Sequence, residues 1–494
     1  MNDLPDGRLF IGGEWEAGIG APLTSISPID GRELLTFNGA SRADGERAIA
    51  RAVAAQADPA WRGLKPHERA RTLTRIAEGI EANAPRIARL QTLDTGKTLR
   101  ETSALAASAA GTFRYMAAAL ETMDDALTTQ RGDYLTLSVH EPLGVVSAIT
   151  PWNSPIASDA QKVAPALAAG NAVLLKPASW APLVALELAR IVEASGLPKG
   201  LFSVLPGAGR EIGNLLVEHP AIKRVGFTGG TETGRTLARQ AAQKLMPVSL
   251  ELGGKSPTIV FADADPQLAI AGILYGMFSS TGQSCIAGSR LFVQRAIWDS
   301  FVPALVKAAQ ALVVGDPFDP ATQVAPLVHF DHRAAVADHV ERALAEGATL
   351  LCGGRAPTGG VYDAGAYYLP TILSGVTNDA RICQEEVFGP VLVVLPFDDE
   401  ADVIAQANDS AYGLACGVWT RDFPRAWRVG RAITTGTVWI NTYKQFSIST
   451  PFGGEKEAGT GREKGREGIR AWMAQKALYV DLTGRPHPWA RVEG

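Results

Sequence analysis

From Gly144 onward, short apolar runs rich in β-branched residues recur along the chain, each followed by a turn and a stretch of helical periodicity. They fall at residues 145–149, 172–175, 202–205, 225–227 and 248–250. Parallel strands cannot be joined by a tight hairpin and need a long crossover, usually a helix, so this alternation predicts a doubly wound parallel α/β sheet. The alternation resumes at 290–293, 348–351, 391–395 and 437–440, with helical segments such as 298–312 between, which predicts a second α/β domain. The first hundred residues read as packed helices, because Leu73, Ile76 and Ile80, then Ile87 and Leu90, repeat at helical spacing. Two strand-like pieces, 134–139 and 477–482, stand outside both series. They are expected to pair as a small appended sheet used in assembly.

The chain's 494 residues suffice for two or three domains with large cores. Lys and Arg number 47 against 51 Asp and Glu, a net charge of −4, so the basic excess of a nucleic-acid surface is missing and a small-molecule ligand is expected. The N-terminal residues carry no basic segment followed by an apolar one, and no apolar run approaches a membrane span, so the expected location is cytoplasmic. Cys285, Cys352, Cys383 and Cys416 are widely spaced without a Cys-x-x-Cys pair. Neither a disulfide framework nor a metal site is implied, and a functional cysteine would act alone.

Two glycine motifs fail as nucleotide signatures: Gly96-Lys97-Thr98 has Gln91 where a phosphate loop needs its first glycine, and Gly207-Ala208-Gly209 is followed by Gly213, one residue late for the dinucleotide fingerprint. Phe227-Thr228-Gly229-Gly230-Thr231 ends a strand and opens a helix, whose free N–H groups suit a pyrophosphate. Downstream stand Glu251-Leu252-Gly253-Gly254, a carboxylate at a strand end, and Gly282-Gln283-Ser284-Cys285, a thiol among small residues. Upstream, Pro151 and Pro155 fix the backbone around Asn153, whose amide would suit donation to an oxyanion.

With Leu175-Lys176-Pro177, Glu385-Glu386-Val387-Phe388-Gly389-Pro390 and Pro451-Phe452-Gly453-Gly454 added, these segments resemble, in order and over nearly the whole chain, the NAD(P)-dependent aldehyde dehydrogenases. The resemblance implies a Rossmann-like cofactor domain (1–122 and 142–253), a catalytic domain (254–460) and oligomerisation strands (123–141 and 470–488) in a homodimer or homotetramer. It makes Cys285 the nucleophile that forms a thiohemiacetal and then a thioester, Asn153 an oxyanion donor, and Glu251 the general base for hydrolysis. The presence of Glu251 speaks against the coenzyme A-acylating branch.

For NAD or NADP the resemblance assigns Ile149, Thr150, Trp152, Lys176, Ser179, Gly209, Phe227, Thr228, Gly229, Gly230, Gly234, Leu252, Glu386 and Phe388. Lys176 would meet the adenosine ribose, Gly229 the pyrophosphate, and Glu386 the nicotinamide ribose. Gly230 lacks the hydroxyl frequent there, so one phosphate hydrogen bond is expected to be absent. Ser179 stands where NAD-preferring members carry a glutamate, which makes NADP acceptable. The substrate pocket is assigned to Tyr115, Ser154, Gln161, Ser284, Ile286, Lys444 and Phe446. Small Ser154 suggests a roomy entrance for an aromatic or branched aldehyde. Lys444 could meet a substrate carboxylate, although the default for a loop lysine is solvation, and the mixed-charge run 462–470 reads as a solvated face. A cysteine esterase and a catalytically silent binding protein are the competing functions. The first lacks a histidine beside any motif, and the second is hard to square with Cys285, Glu251 and Asn153 together.

Overall fold

The computed structural model describes residues 4–487 and 489. Residue 488 of the expected oligomerisation segment and residues 1–3 of the expected cofactor domain lie outside the described residues. A first sheet of eight strands runs in the order Glu14–Glu16, Leu9–Ile11, Phe202–Val204, Ala172–Lys176, Val145–Ile149, Ile222–Thr228, Val248–Glu251, Gly459–Thr460. The five from Phe202–Val204 to Val248–Glu251 are mutually parallel. Val145–Ile149 and Ala172–Lys176 are buried along their whole length, as parallel strands covered on both faces must be, which is why they read as unbroken apolar runs. The parallel series starts at Val145–Ile149, steps outward twice on one side, then returns to the other side at Ile222–Thr228. At such a switch point the connections leave in opposite directions and open a crevice beyond the strands' carboxyl ends.

The second sheet is Thr349–Cys352, Thr371–Ser374, Val391–Phe397, Arg290–Gln294, Pro257–Val260, Ala415–Trp419, Thr437–Ile440. All its pairs are parallel except the first. The predicted run at 348–351 is therefore an antiparallel edge and not part of the parallel series. Gly353 and Gly354, at φ of 76° and 71°, turn the chain there, and no α-helix separates it from Thr371–Ser374. Three strands of this sheet went unread. Ala415–Trp419 carries Gly417 in its middle, where a Cβ would stand 2.5 Å from the Tyr443 ring, so packing and not strand propensity set that residue.

The helical reading of the first hundred residues holds for Arg42–Ala57, Pro66–Ala82 and Ala84–Thr95, with Leu73, Ile76, Ile80, Ile87 and Leu90 all buried. It fails before residue 39. Leu9–Ile11 joins the first sheet through Phe10 opposite Val204, and Pro22–Ile26 pairs with Glu33–Asn38. Runs of three to six residues are too short to show a period, and distant partners make them strands. The two orphan segments do pair: Met473–Asp481 runs antiparallel to Tyr134–Pro142, with Ala477 opposite Ser138, and Ala126–Leu127 completes the small sheet. No described helix is long and apolar enough to cross a membrane.

Candidate active site

The switch-point crevice is a cavity of about 540 Å³ lined by Ile149, Thr150, Trp152, Lys176, Gly209, Phe227, Thr228, Gly229 and Gly230, with Arg210 and Asn214. Gly230 caps the helix Thr231–Ala242 without any side-chain hydrogen bond, and nothing lies within 4 Å of a Cβ built on Gly230 or Gly209. The first N–H groups of that helix and open backbone thus face the space where a diphosphate would sit. Gly234 serves packing, since its Cβ would meet Leu252 at 2.4 Å. Lys176 donates from Nζ to the carbonyl of Pro177 at 3.0 Å, and burial lowers its ammonium to about 8. Ser179 Oγ donates to the Gly207 carbonyl at 3.3 Å, on the wall behind the turn. These features fit a dinucleotide.

A second cavity, about 230 Å³, shares Pro151, Trp152, Thr228, Gly229 and Gly230 with the first and adds Asn153, Leu252, Gly253, Cys285, His332, Glu386 and Phe388. The two form one cleft, running from Lys176 to the Cys285 thiol. Glu386 accepts from the Gly254 amide at 2.9 Å, and a Cβ on Gly253 would stand 2.3 Å from its other oxygen. Burial raises its carboxyl to about 7 against that hydrogen bond. Phe388, at φ 56°, meets Trp152 edge to face at 5.2 Å, and its carbonyl lies 2.8 Å from His332 Nε2. His332 also packs on Trp152 at 5.2 Å, while Trp180 stacks on His329 at 4.9 Å.

Cys285 follows a strained approach. Ser280, Thr281 and Gly282 take φ of 58°, 55° and 70° in succession, a costly conformation that neighbours must hold. Thr281 Oγ1 donates to the Ala325 carbonyl at 2.8 Å, Gln283 Oε1 accepts from the Val328 amide at 2.8 Å, and Glu101 accepts from the Ser280 amide at 2.6 Å. Gly254 is needed because its Cβ would lie 2.3 Å from the Cys285 carbonyl. Asn153 Nδ2 donates to the Gln283 carbonyl at 3.1 Å, which ties the amide to the nucleophile's own loop. The thiol is half-buried; burial, then the Glu386 and Glu251 carboxylates, push it up to about 12, while Lys444 acts the other way.

Glu251 ends its strand between Thr228 and Gly459, buried, with neither carboxylate oxygen hydrogen-bonded among the described residues. Burial raises its carboxyl well above the usual range and Glu463 adds to this, opposed by Lys162, Arg462 and Lys464. Glu463 itself is buried and bound by both Lys162 and Gln161. The reading of 462–470 as a solvated face is therefore corrected: the segment enters the protein at Glu463, where Lys162 of the helix Pro155–Ala168 neutralises it. Lys162 and Glu463 are functional candidates that single-residue reasoning missed, because they are 301 positions apart.

On the far side of Cys285 the assigned substrate residues scatter. Ile286 is buried with Trp439 and Tyr443, Gln161 is held by Glu463, and Ser154 Oγ lies 3.0 Å from Ser158 Oγ. Tyr115 and Ser284 are half-buried and Phe446 is exposed. Lys444 is not a solvated loop lysine: it is half-buried, with Nζ 2.9 Å from Ser279 Oγ, and burial lowers its ammonium to about 7. Its backbone is left-handed, with φ of 53°.

The sequence profile of the aldehyde dehydrogenase family matches residues 15–478. The chain belongs to that family. It is 43% identical to a betaine aldehyde dehydrogenase of Brucella melitensis biotype 2 over 98% of this chain and 99% of that one. A betaine aldehyde dehydrogenase of Brucella anthropi is 42% identical with the same coverage. Among solved structures, the betaine aldehyde dehydrogenase of Staphylococcus aureus in complex with NAD+ superposes with a TM-score of 0.96 at 36% identity, covering 99% of this chain and 97% of that chain. The chain is an NAD(P)-dependent aldehyde dehydrogenase, with the α/β architecture its sequence implied.

Proposed function

We propose that the protein oxidises a small aldehyde to the free carboxylic acid through covalent intermediates on Cys285. The observation that carries this is the cleft itself, which leads from the helix N-terminus at Gly230 to Cys285 with Asn153 in the wall. Lys176, the 229–231 turn, Glu386 and Phe388 would hold NAD or NADP. When bound, the nicotinamide accepts the hydride. The Cys285 thiol gives up its proton to solvent as Sγ adds to the carbonyl carbon, and the oxygen that gains charge is met by the Asn153 amide and the Cys285 N–H; one such donor is worth on the order of 10²- to 10³-fold. Loss of hydride from the thiohemiacetal leaves the acyl group on sulfur. A water oxygen then attacks the thioester, its proton passes to Glu251, and the C–S bond breaks to return the thiol. Lys162 and Glu463 set the charge around Glu251.

The same reading divides the chain at 253/254 into cofactor and catalytic parts and gives the 134–142 and 473–481 strands to a homo-oligomer. Support for the latter is the exposed sheet, with Tyr479, Val480 and Leu482 uncovered. A cytoplasmic location fits a working thiol and the absence of any disulfide among the described residues. The test is to supply aliphatic, aromatic and charged aldehydes with NAD and NADP, without coenzyme A. Reduced cofactor and free acid should appear in equal amounts. Intact cofactor binding with no reduction across the panel would refute the reading.

A further inference from the structure

Two lysine ammonium groups, Lys444 and Lys464, lie near enough to Cys285 to act on its thiol electrostatically, and neither forms an ion pair among the described residues. Among the described residues Lys444 Nζ has only the Ser279 hydroxyl, at 2.9 Å, and that oxygen already donates to the Tyr275 carbonyl. Lys464 Nζ lies over the Phe446 ring at 4.0 Å and the Phe452 ring at 5.3 Å, a cation–π seat between two aromatic faces. The neighbouring acids are committed elsewhere: Glu101 accepts from Ser280 and Thr98, and Glu463 is held by Lys162 and Gln161. Both lysines adopt left-handed backbone, Lys444 at φ 53° and Lys464 at φ 63° with ψ 179°, conformations that cost energy and persist only when the surroundings impose them.

An ammonium withdrawn from water without a counter-charge is unfavourable, and a ligand carboxylate is the group that would relieve it. Aromatic faces, in turn, are what a quaternary ammonium seeks, and here the chain's own cation already occupies them. We infer that the enzyme selects an aldehyde bearing a carboxylate at its far end, which Lys444 and Ser279 receive, and that Lys464 excludes aldehydes bearing a trimethylammonium group such as betaine aldehyde. This rests on the dehydrogenase reading and departs from the substrate in the relatives' names.

The experiment measures kcat/KM, at saturating NAD, for three aldehydes of matched length ending in carboxylate, methyl or trimethylammonium. In the native enzyme the carboxylate should be favoured over methyl by at least about tenfold, the scale of one hydrogen bond to a charged group, with trimethylammonium the poorest. Lys444→Met should erase the carboxylate-to-methyl advantage while Lys444→Arg keeps it. Lys464→Met should raise the trimethylammonium-to-methyl ratio by about tenfold. Should Lys444→Met not fold, the native KM for the carboxylate aldehyde must still rise with ionic strength while that for the methyl aldehyde stays level. A native preference for trimethylammonium, or a carboxylate-to-methyl ratio unmoved by Lys444→Met, overturns the inference. Oxidation of the methyl aldehyde with no carboxylate advantage overturns it alone; no oxidation of any of the three, with cofactor bound, brings down the dehydrogenase reading as well.

Discussion

At the switch-point end the cleft presents open backbone, at Gly230 and Gly209 beyond the ends of two sheet strands. On the other side of Cys285 the groups near the thiol are side chains from remote segments, Lys444 on one loop and Lys464 on another. The first kind of site is fixed by topology, since any doubly wound sheet opens a crevice at its switch point and glycines let a diphosphate approach. The second kind is fixed by packing between elements, so one residue can change the ligand while the fold stays put. Between the two lies Cys285, held by both: its loop contacts Ala325 and Val328 of the second sheet's region, and Asn153 of the first.

The largest expected effect lies at that junction. Cys285→Ala should lower turnover by more than about 10³-fold, the scale seen when a nucleophile is removed, yet leave NAD bound. Isothermal titration of the variant checks this, and loss of cofactor binding would show that the two ends are not separable.

Next in size is Glu251→Gln, expected to cost on the order of 10²-fold in steady-state rate, as for a general base, with a first burst of reduced cofactor retained. Because burial and Glu463 hold the Glu251 carboxyl above its usual range, the neutral acid persists to higher pH than for an ordinary glutamate and the base form is gained as pH rises. A kcat limited by thioester hydrolysis should therefore climb with pH in the native enzyme, and the glutamine variant should lose that climb. Stopped-flow and pH–rate measurements decide it; a normal steady state in the variant removes Glu251 from the role.

The smallest expected effect tests how far topology alone governs the cofactor end. Ser179→Glu places a carboxylate beside the Gly207 turn and should shift the NAD-to-NADP preference toward NAD by at least about tenfold, since a like-charge contact at ~4 Å supplies up to ~4 kcal/mol before screening. The readout is kcat/KM for both cofactors with one aldehyde. Because Ser179 Oγ turns to the Gly207 carbonyl, an unmoved ratio would mean that position 179 stays on the wall behind the turn and does not reach the ribose.

Local patterns made much of this legible. Residues 145–149 and 437–440 read as strands from their apolar β-branched runs, and the structure returns the same bounds. Gly253 and Gly254 stood out as glycines beside a carboxylate, and the structure gives the cause: Glu386 and the Cys285 carbonyl leave no room for a Cβ. His332 was invisible, since nothing near it in the sequence resembles a site, yet it contacts Trp152 and Phe388 from 180 and 56 positions away. Lys464 looked like one charge in a solvated run, because alternating charges usually mark a surface; its burial depends on Phe446 and Phe452 arriving from another loop.

By itself, then, the sequence determined the alternation of strand and helix, the family motifs and the identity of Cys285, Glu251 and Asn153, because strand propensity, glycine freedom and reactive side chains are local properties. Only the tertiary structure decided which strands neighbour one another, that Leu9–Ile11 extends the first sheet, that Lys162 neutralises Glu463, and that two lysines come near the thiol without an ion pair among the described residues. Burial and charge pairing are properties of the space between elements, and that space exists only once distant parts of the chain have packed together.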